Sequence, residues 1–332
     1  MPKPNHRGGG REKKPASREV TISKALSLIL RHAAEREGLK INSDGYANVA
    51  DVLAWQRLKS QKATLSEILN AVETSDKKRF ALFYLPSASS SSTDEPPTTT
   101  QDSSTAIEEA ASESNQGETA TATALAASKT DLDPSHYLIR ATQGHSIKSV
   151  QAESGLLEKL TLDALDTLPD TVVHGTFHST WPLVLASGGL KCMGRNHIHF
   201  ATGPTLPDAL ADITRRGEGG GAGSGPGSNG QVISGMRRDA QVLIYIDIRK
   251  ALAAGCPFWR SENGVILSDG MEADSKSSAG KNGEKVIPLE FFDVVIERRK
   301  GFGKIWEDGK EIYALPEHLT KKGNPKLHQF AR

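Results

Sequence analysis

The sequence predicts an α+β protein with a small helical lobe followed by a larger β-rich lobe. Short amphipathic segments crowd the region before residue 75, and short β-branched or aromatic runs dominate after residue 135. No strand–helix–strand rhythm links those runs, so the larger lobe is expected to be a mixed sheet.

Residues 1–19 are basic and rich in Gly and Pro, and are expected as a disordered tail. The same charges would also suit an electrostatic arm for RNA or an import signal. Leu26, Ile29, Leu30 and Ala33 then fall at helical spacing, with Gly38 as a stop. Asp44-Gly45 marks a turn, and Asn48 can cap a second helix with Val49, Val52 and Leu53 inside. Thr64 and Glu67 form a capping-box pair opening a third helix. Residues 79–85 read as a strand that can pair with 136–141. Helices followed by strand pairing make 20–141 a winged-helix-like lobe, an architecture common among nucleic-acid binders that does not by itself establish function.

Between these strands, residues 86–133 are Ser, Thr, Ala, Pro and acid. Such a segment cannot bury enough apolar surface to offset its ordering entropy, so a disordered insertion is expected. The second lobe should span 142–299. It begins with Gln143-Gly-His-Ser146 and a polar helical stretch. Strands are expected at 172–177, 197–202, 242–246, 264–267 and 286–296, with a helix ending at Gly188-Gly189. Residues 216–230 lack the phosphate-loop pattern and read as a flexible loop, as does 271–285. Residues 300–332, basic and without clear periodicity, are expected as a C-terminal extension.

The totals narrow the setting. Hydrophobic residues make up 37% of 332, and no apolar run approaches the ~20 residues a membrane span needs. No secretory signal is visible at the N-terminus. Cys192 and Cys256 cannot build a disulfide framework and read as buried thiols in a reducing compartment, cytoplasmic or nuclear. A net charge of +1 is uninformative, whereas the placement of charge is not.

Histidines concentrate between Val172 and Thr202. His174-Gly175-Thr176 lies on one strand, where the glycine would let a ligand approach the backbone. On the next, His197 and His199 point to one face. Each alone could be a satisfied packing histidine. No metal site is expected, because there is no Cys pair, no HExxH helix and no acid at ligand spacing. Serine-hydrolase and dinucleotide-fold fingerprints are likewise missing. What remains are Arg31-His32, Arg140, His145-Ser146, His174 to Thr176, His197, His199 and Arg237. That set is suited to holding phosphates while a histidine transfers a proton. On its own, Arg31-His32 would also pass for a solvated helix face.

Arg31-His32, Ile139-Arg-Ala-Thr-Gln-Gly-His-Ser146, His174-Gly-Thr176, Arg195-Asn-His-Ile-His199, Ser234-Gly-Met-Arg237 and the block from Phe258 to Leu267 together resemble the RNA 2'-phosphotransferase family. The resemblance covers roughly 20–85 and 136–298. It implies a winged-helix-like lobe joined to an ADP-ribosyltransferase-like lobe, with the active site between them. It also implies an enzyme that transfers the internal 2'-phosphate at the splice junction of ligated tRNA to NAD+, the last step of tRNA splicing. The products would be 2'-hydroxyl RNA, nicotinamide and ADP-ribose 1'',2''-cyclic phosphate, reached through an ADP-ribosylated RNA phosphate.

On that resemblance Arg31, His32, Arg140 and Arg237 form the catalytic set, with Arg238 the neighbour that a shift of register would substitute. The arginines would hold the RNA phosphate and meet the charge developing in the second step, and His32 would protonate the leaving oxygen or else help hold the phosphate. Gln143, His145, Ser146, His174, Gly175, Thr176, His197 and His199 would form the NAD+ surface, a packing role remaining open for one of the last two. NAD+ would serve as co-substrate without metal, the partner would be tRNA, and the chain is expected to be a monomer. Two alternatives stand beside this reading: an ADP-ribosyltransferase acting on nucleic-acid phosphate ends, and a catalytically silent RNA-binding module.

Overall fold

A computed structural model of the protein describes residues 17–86, 117–150, 156–217, 234–272 and 285–321. Most of the expected N-terminal tail, most of the acidic insertion, nearly all of the 216–230 loop, most of the 271–285 loop and the end of the C-terminal extension lie outside the described residues.

Helix α1 (Arg18–Leu28) runs directly into one π-helical turn, Ile29–Ala33. Ser17 caps it by accepting the Val20 N–H, and Ile22, Leu26, Ile29, Leu30 and Ala33 are buried, as their spacing requires. Strand β1 (Ala47–Asn48) leads into α2 (Val49–Ala54), where Asn48 Oδ1 accepts the Ala50 N–H at 2.8 Å. After α3 (Gln56–Ser60), α4 (Leu65–Glu73) opens on the reciprocal Thr64–Glu67 capping box. Arg18 pairs with the same Glu67, tying α1 to α4. Strand β2 (Phe80–Tyr84), α5 (Gly117–Ala127) and β3 (Tyr137–Ala141) follow. The expected antiparallel pairing holds, with Phe80 opposite Ala141 and Tyr84 opposite Tyr137, and β1 completes the sheet on the other edge of β3.

Helix α5 corrects one expectation, since the insertion was read as disordered as far as 133. Its last part folds back onto β2: Ala124 is buried, and Thr121 Oγ1 accepts the Leu82 N–H at 3.1 Å. The reason is local. Alanine and threonine at helical spacing offer a small face that fits against a strand edge and satisfies a backbone donor there.

The second region runs β4 (Leu157–Leu160), a 3-10 segment Leu162–Thr167, β5 (Val173–Thr176), α6 (Trp181–Ala186), β6 (Gly189–Lys191), β7 (Ile198–Phe200) and α7 (Leu206–Gly217). It continues with β8 (Val242–Ile246), α8 (Ile248–Ala253), β9 (Phe258–Ser261), β10 (Ile266–Ser268) and β11 (Met271–Glu272). β12 (Lys285–Pro288), β13 (Phe292–Glu297), β14 (Gly303–Glu307), β15 (Lys310–Glu311) and α9 (Glu317–Thr320) complete it. The expected single mixed sheet is instead three sheets, ordered β4-β9-β10-β7, β11-β12-β6 and β15-β14-β13-β8-β5, with every described pairing antiparallel. A bridge between Val173 and Ala201 joins the edges of the first and last.

Three further readings change. The polar stretch after Ser146, expected as helix, supplies β4 and a 3-10 segment among its described residues. Residues 286–296 are two strands separated by a 3-10 turn at Leu289–Phe291. The expected boundary at residue 299 also fails, because β14 is an inner strand of the five-stranded sheet and Ile305 and Trp306 are buried in its core. Two apolar residues in five are too few to show period-2 alternation, so only the pairing with β13 reveals the strand.

Strand alternation divides the second region between cores. Leu157, Trp259 and Leu267 pack with the N-terminal helices, whereas Leu160, Phe258 and Ile266 face the opposite way. The two regions therefore share one of these apolar cores. Among the described residues, no helix is long and apolar enough to cross a membrane.

Candidate active site

The π-helical turn presents Arg31 and His32 on the side away from its buried Ile29, Leu30 and Ala33. The segment leaving β3 docks against that turn: Ser146 N–H donates to the Arg31 carbonyl at 2.8 Å, and Ser146 Oγ lies 3.0 Å from His32 Nδ1. Between them Gly144 takes φ of 88°, and a Cβ there would stand 3.6 Å from both Arg31 Nη1 and His199 Nε2. The Gln143-Gly-His-Ser motif thus threads between the first helix and the histidine strand.

Asn196 staples the third component in place. Its N–H donates to the His145 carbonyl at 2.9 Å, and its side-chain amide donates to the carbonyls of Ile147 at 2.9 Å and Val150 at 3.3 Å. This brings neighbouring Arg195 to the cleft beside Arg31. A fourth component is the turn before β2. Arg31 Nη2 reaches the Arg79 carbonyl at 3.5 Å, and the Thr142 N–H donates to the same oxygen at 3.1 Å. Among the described residues, Arg31, Arg79, Arg195 and Arg237 make no ion pair with a carboxylate.

The electrostatics follow from that crowding. Burial, with Arg195 and Arg79 nearby, brings Arg31 down to about 10. Burial, Arg195 and Arg31 hold His32 below the usual imidazole range. Arg195 is itself lowered by burial and by Arg237. His145 is buried, and that burial together with Arg31, His197, Arg140 and His32 pushes it down to about 3. Burial also lowers His174, His197 and His199. A neutral, polar, positively surrounded cleft results, and it favours a polyanion.

The structure brings the sequence-selected residues together unevenly. Gln143, His145, Asn196 and His197 line one small cleft with Val150, Leu156, Leu157 and Leu267. His174 Nδ1 bonds the His199 carbonyl and His199 Nδ1 the His197 carbonyl, each at 2.9 Å, which orients both rings. Gly175 serves differently from the sequence reading. What approaches its backbone is Met236, since a Cβ at Gly175 would lie 2.3 Å from Met236 Cγ. Thr176 is buried in β5, where its carbonyl accepts the Gln241 N–H.

Arg237 stands over the Phe177 ring at 5.8 Å, whereas Arg140 lies deeper. Its side chain is 2% exposed, bonded to Glu262 Oε2 at 3.2 Å and placed over the Tyr46 ring at 4.6 Å. Arg79 and Arg195, which the sequence does not single out as site residues, lie within electrostatic reach of Arg31. Arg195 belonged to a motif already singled out for its histidines, and Arg79 stood at the foot of a strand already expected.

A family model described as RNA 2'-phosphotransferase, Tpt1 / KptA family, matches residues 17–270. The chain belongs to this family. Its six sequence blocks lie within that match. A human protein named tRNA 2'-phosphotransferase 1 is 32% identical over 96% of this chain and 97% of its own length. The zebrafish protein of that name is 32% identical over 80% of this chain and 86% of its own, and the Saccharomyces cerevisiae tRNA 2'-phosphotransferase is 30% identical over 77% and 81%. An RNA 2'-phosphotransferase must grip a phosphate. Among the described residues, no three His, Cys, Asp or Glu side chains gather as a metal-binding group.

Proposed function

We propose that this phosphotransferase removes an internal 2'-phosphate from spliced tRNA and passes it to NAD+, giving 2'-hydroxyl RNA, ADP-ribose 1'',2''-cyclic phosphate and nicotinamide. The observation that carries the reading is the hydrogen-bonded His32–Ser146 pair within electrostatic reach of Arg31 and Arg195, with Arg79 next to Arg31, Arg237 next to Arg195, and no described carboxylate partner for any of the four. The course through an ADP-ribosylated RNA phosphate belongs to the same proposal. So does the assignment of a winged-helix-like lobe joined to an ADP-ribosyltransferase-like lobe.

NAD+ supplies an electrophilic ribose carbon and a nicotinamide leaving group. The residues present fit such a ligand. His145 Nε2 and His199 Nε2 are buried without a protein partner, and Gly144 leaves space between Arg31 and His199. Gln143, His145, Ser146, His174, Thr176, His197 and His199 would hold it, with Gly175 acting through Met236.

Arg31, Arg79 and Arg195 grip the RNA 2'-phosphate by charge-assisted hydrogen bonds and stabilise charge developing at phosphorus. Arg237 closes the outer side. Arg140, engaged by Glu262, is a positioning residue beneath the site rather than a phosphate ligand. Ser146 orients His32 through Nδ1 and leaves Nε2 for the ribose oxygen. His32 is held low in the free protein, and an arriving phosphate anion raises its proton affinity, readying it as a general acid.

The test is incubation with NAD+ and an RNA carrying one internal 2'-phosphate. Loss of the phosphate with formation of nicotinamide and the cyclic phosphate is expected. Release of the phosphate without NAD+ would overturn the co-substrate assignment, and accumulation of ADP-ribosylated RNA would point to the phosphate-end transferase instead.

A further inference from the structure

Beyond the inner arginines lies a second basic group that the phosphate chemistry above leaves unused. Two devices present it. The first is the segment leading into β8, anchored by Met236 against Gly175 and by Gly235, where φ is 84° and a Cβ would stand 2.5 Å from the Phe200 carbonyl oxygen. This fixes the backbone just before the exposed Arg238.

The second device is the turn from β13 to β14, built on the buried Glu297 carboxylate. Glu297 accepts the N–H groups of Arg299 at 2.7 Å, Lys300 at 2.9 Å and Phe302 at 3.2 Å, and bonds His178 Nε2 at 2.8 Å. Its negative charge is thus taken up by the backbone and an imidazole, leaving the Arg299 guanidinium unneutralised. That guanidinium donates to the Arg238 carbonyl at 2.7 Å, joining the two devices. Among the described residues, neither Arg238 nor Arg299 makes an ion pair with a carboxylate, and both are exposed. Lys77 lies within electrostatic reach of both Arg79 and Arg238, and after burial each lowers it further.

We infer that Arg238 and Arg299 form a docking site for a backbone phosphodiester of the same RNA strand, beside the nucleotide that carries the 2'-phosphate. The inference rests on the proposed RNA substrate. An anchored Arg299 guanidinium beside Arg238 on a fixed backbone, both open to solvent, suits a diester, which carries one charge and is met along the strand rather than buried. The site supplies affinity and register for longer RNA, and the chemistry stays with the inner residues.

Anisotropy titrations of a labelled oligoribonucleotide bearing one internal 2'-phosphate test this without turnover. Wild type, Arg238→Ala, Arg299→Ala and Arg299→Lys would be compared across a salt series, with a 2'-phosphorylated dinucleotide as competitor. Each alanine variant should weaken long-RNA binding several-fold and lower the log–log salt slope by about 0.7 per lost contact. Dinucleotide affinity should stay within about twofold, and Arg299→Lys should recover most of the loss. Unchanged long-RNA affinity and slope, or an equal loss on both ligands, would overturn the inference. Because these are binding measurements, they judge Arg238 and Arg299 even if turnover with NAD+ fails.

Discussion

Met236 occupies the space that a side chain at Gly175 would need: a Cβ there would lie 2.3 Å from Met236 Cγ and 2.8 Å from Ala240 Cβ. Two sequence blocks over sixty residues apart are therefore one packing unit, and the unit sets where Arg237 stands. Gly175→Ala should cost about 1–3 kcal/mol through overpacking and lower activity by shifting that segment. Met236→Ala should cost about 2–3 kcal/mol by leaving a cavity. The double variant should be more stable than the sum predicts by at least ~1 kcal/mol, measured by denaturant titration. Additive costs would show that the contact is not felt.

Arg140 and Arg79 should separate stability from activity. The Arg140–Glu262 pair is nearly buried, with side chains 2% and 16% exposed, so Arg140→Ala leaves a carboxylate unpaired. The expected loss is about 3–5 kcal/mol, seen as a lowered thermal midpoint. Arg79→Ala and Arg195→Ala relieve like-charge repulsion and should leave the midpoint unchanged or raised. Their turnover should nonetheless fall by about 100-fold or more. A stable, active Arg140→Ala protein would contradict the positioning role.

Acid should destabilise the protein before its carboxylates titrate. Burial holds His145 at about 3 against an ordinary value of 6.5. The unfolded chain therefore binds a proton that the folded chain refuses as pH falls below 6.5, and stability is full above that value and lost beneath it. His145 alone should contribute a slope approaching 1.4 kcal/mol per pH unit, with His174 and His199 adding in the same sense. Chemical denaturation across pH 7.5 to about 5 measures it, and His145→Gln should flatten the curve. An unchanged slope in that variant would remove His145 as the cause.

Ending the chain after Lys300 should prevent folding. It removes β14, with buried Ile305 and Trp306, and exposes an edge of β13. Insoluble expression or lost ellipticity is expected, and a soluble, cooperatively unfolding product would refute the central place of this strand.

Within the insertion, deleting 88–115 should preserve the thermal midpoint, whereas extending the deletion to 130 should lower it. The longer deletion loses Ala124 from the core and the Thr121 contact with the Leu82 N–H. Equal midpoints would show that α5 adds nothing to stability.

Local signals were the legible part. The Asn48 cap, the Thr64–Glu67 box, the α1 stripe and the β2–β3 pairing all appear where residue type and spacing place them. Such features depend on neighbours within a few residues, which a sequence displays directly. Helix α7, with Ala209 and Ile213 on its buried face, is equally local, and its apolar spacing stands beside a Gly-rich stretch that masks it. Strand β14 was hidden for a different reason, since its pairing with β13 is a long-range choice that no local pattern announces.

The candidate site divides along the same line. Sequence alone determined the family blocks, and through their joint resemblance it selected Arg31, His32, Arg140, Arg237 and the Gln143-Gly-His-Ser146 segment, none of which is decisive by itself. Only the tertiary structure decided which arginines share a cleft. It sets Arg79 and Arg195 beside Arg31, sends Arg140 inward to Glu262, and gives Gly175 to Met236. The physical reason is that charges interact through space within a few ångströms, and the chain reaches those distances only after strands far apart in sequence have paired.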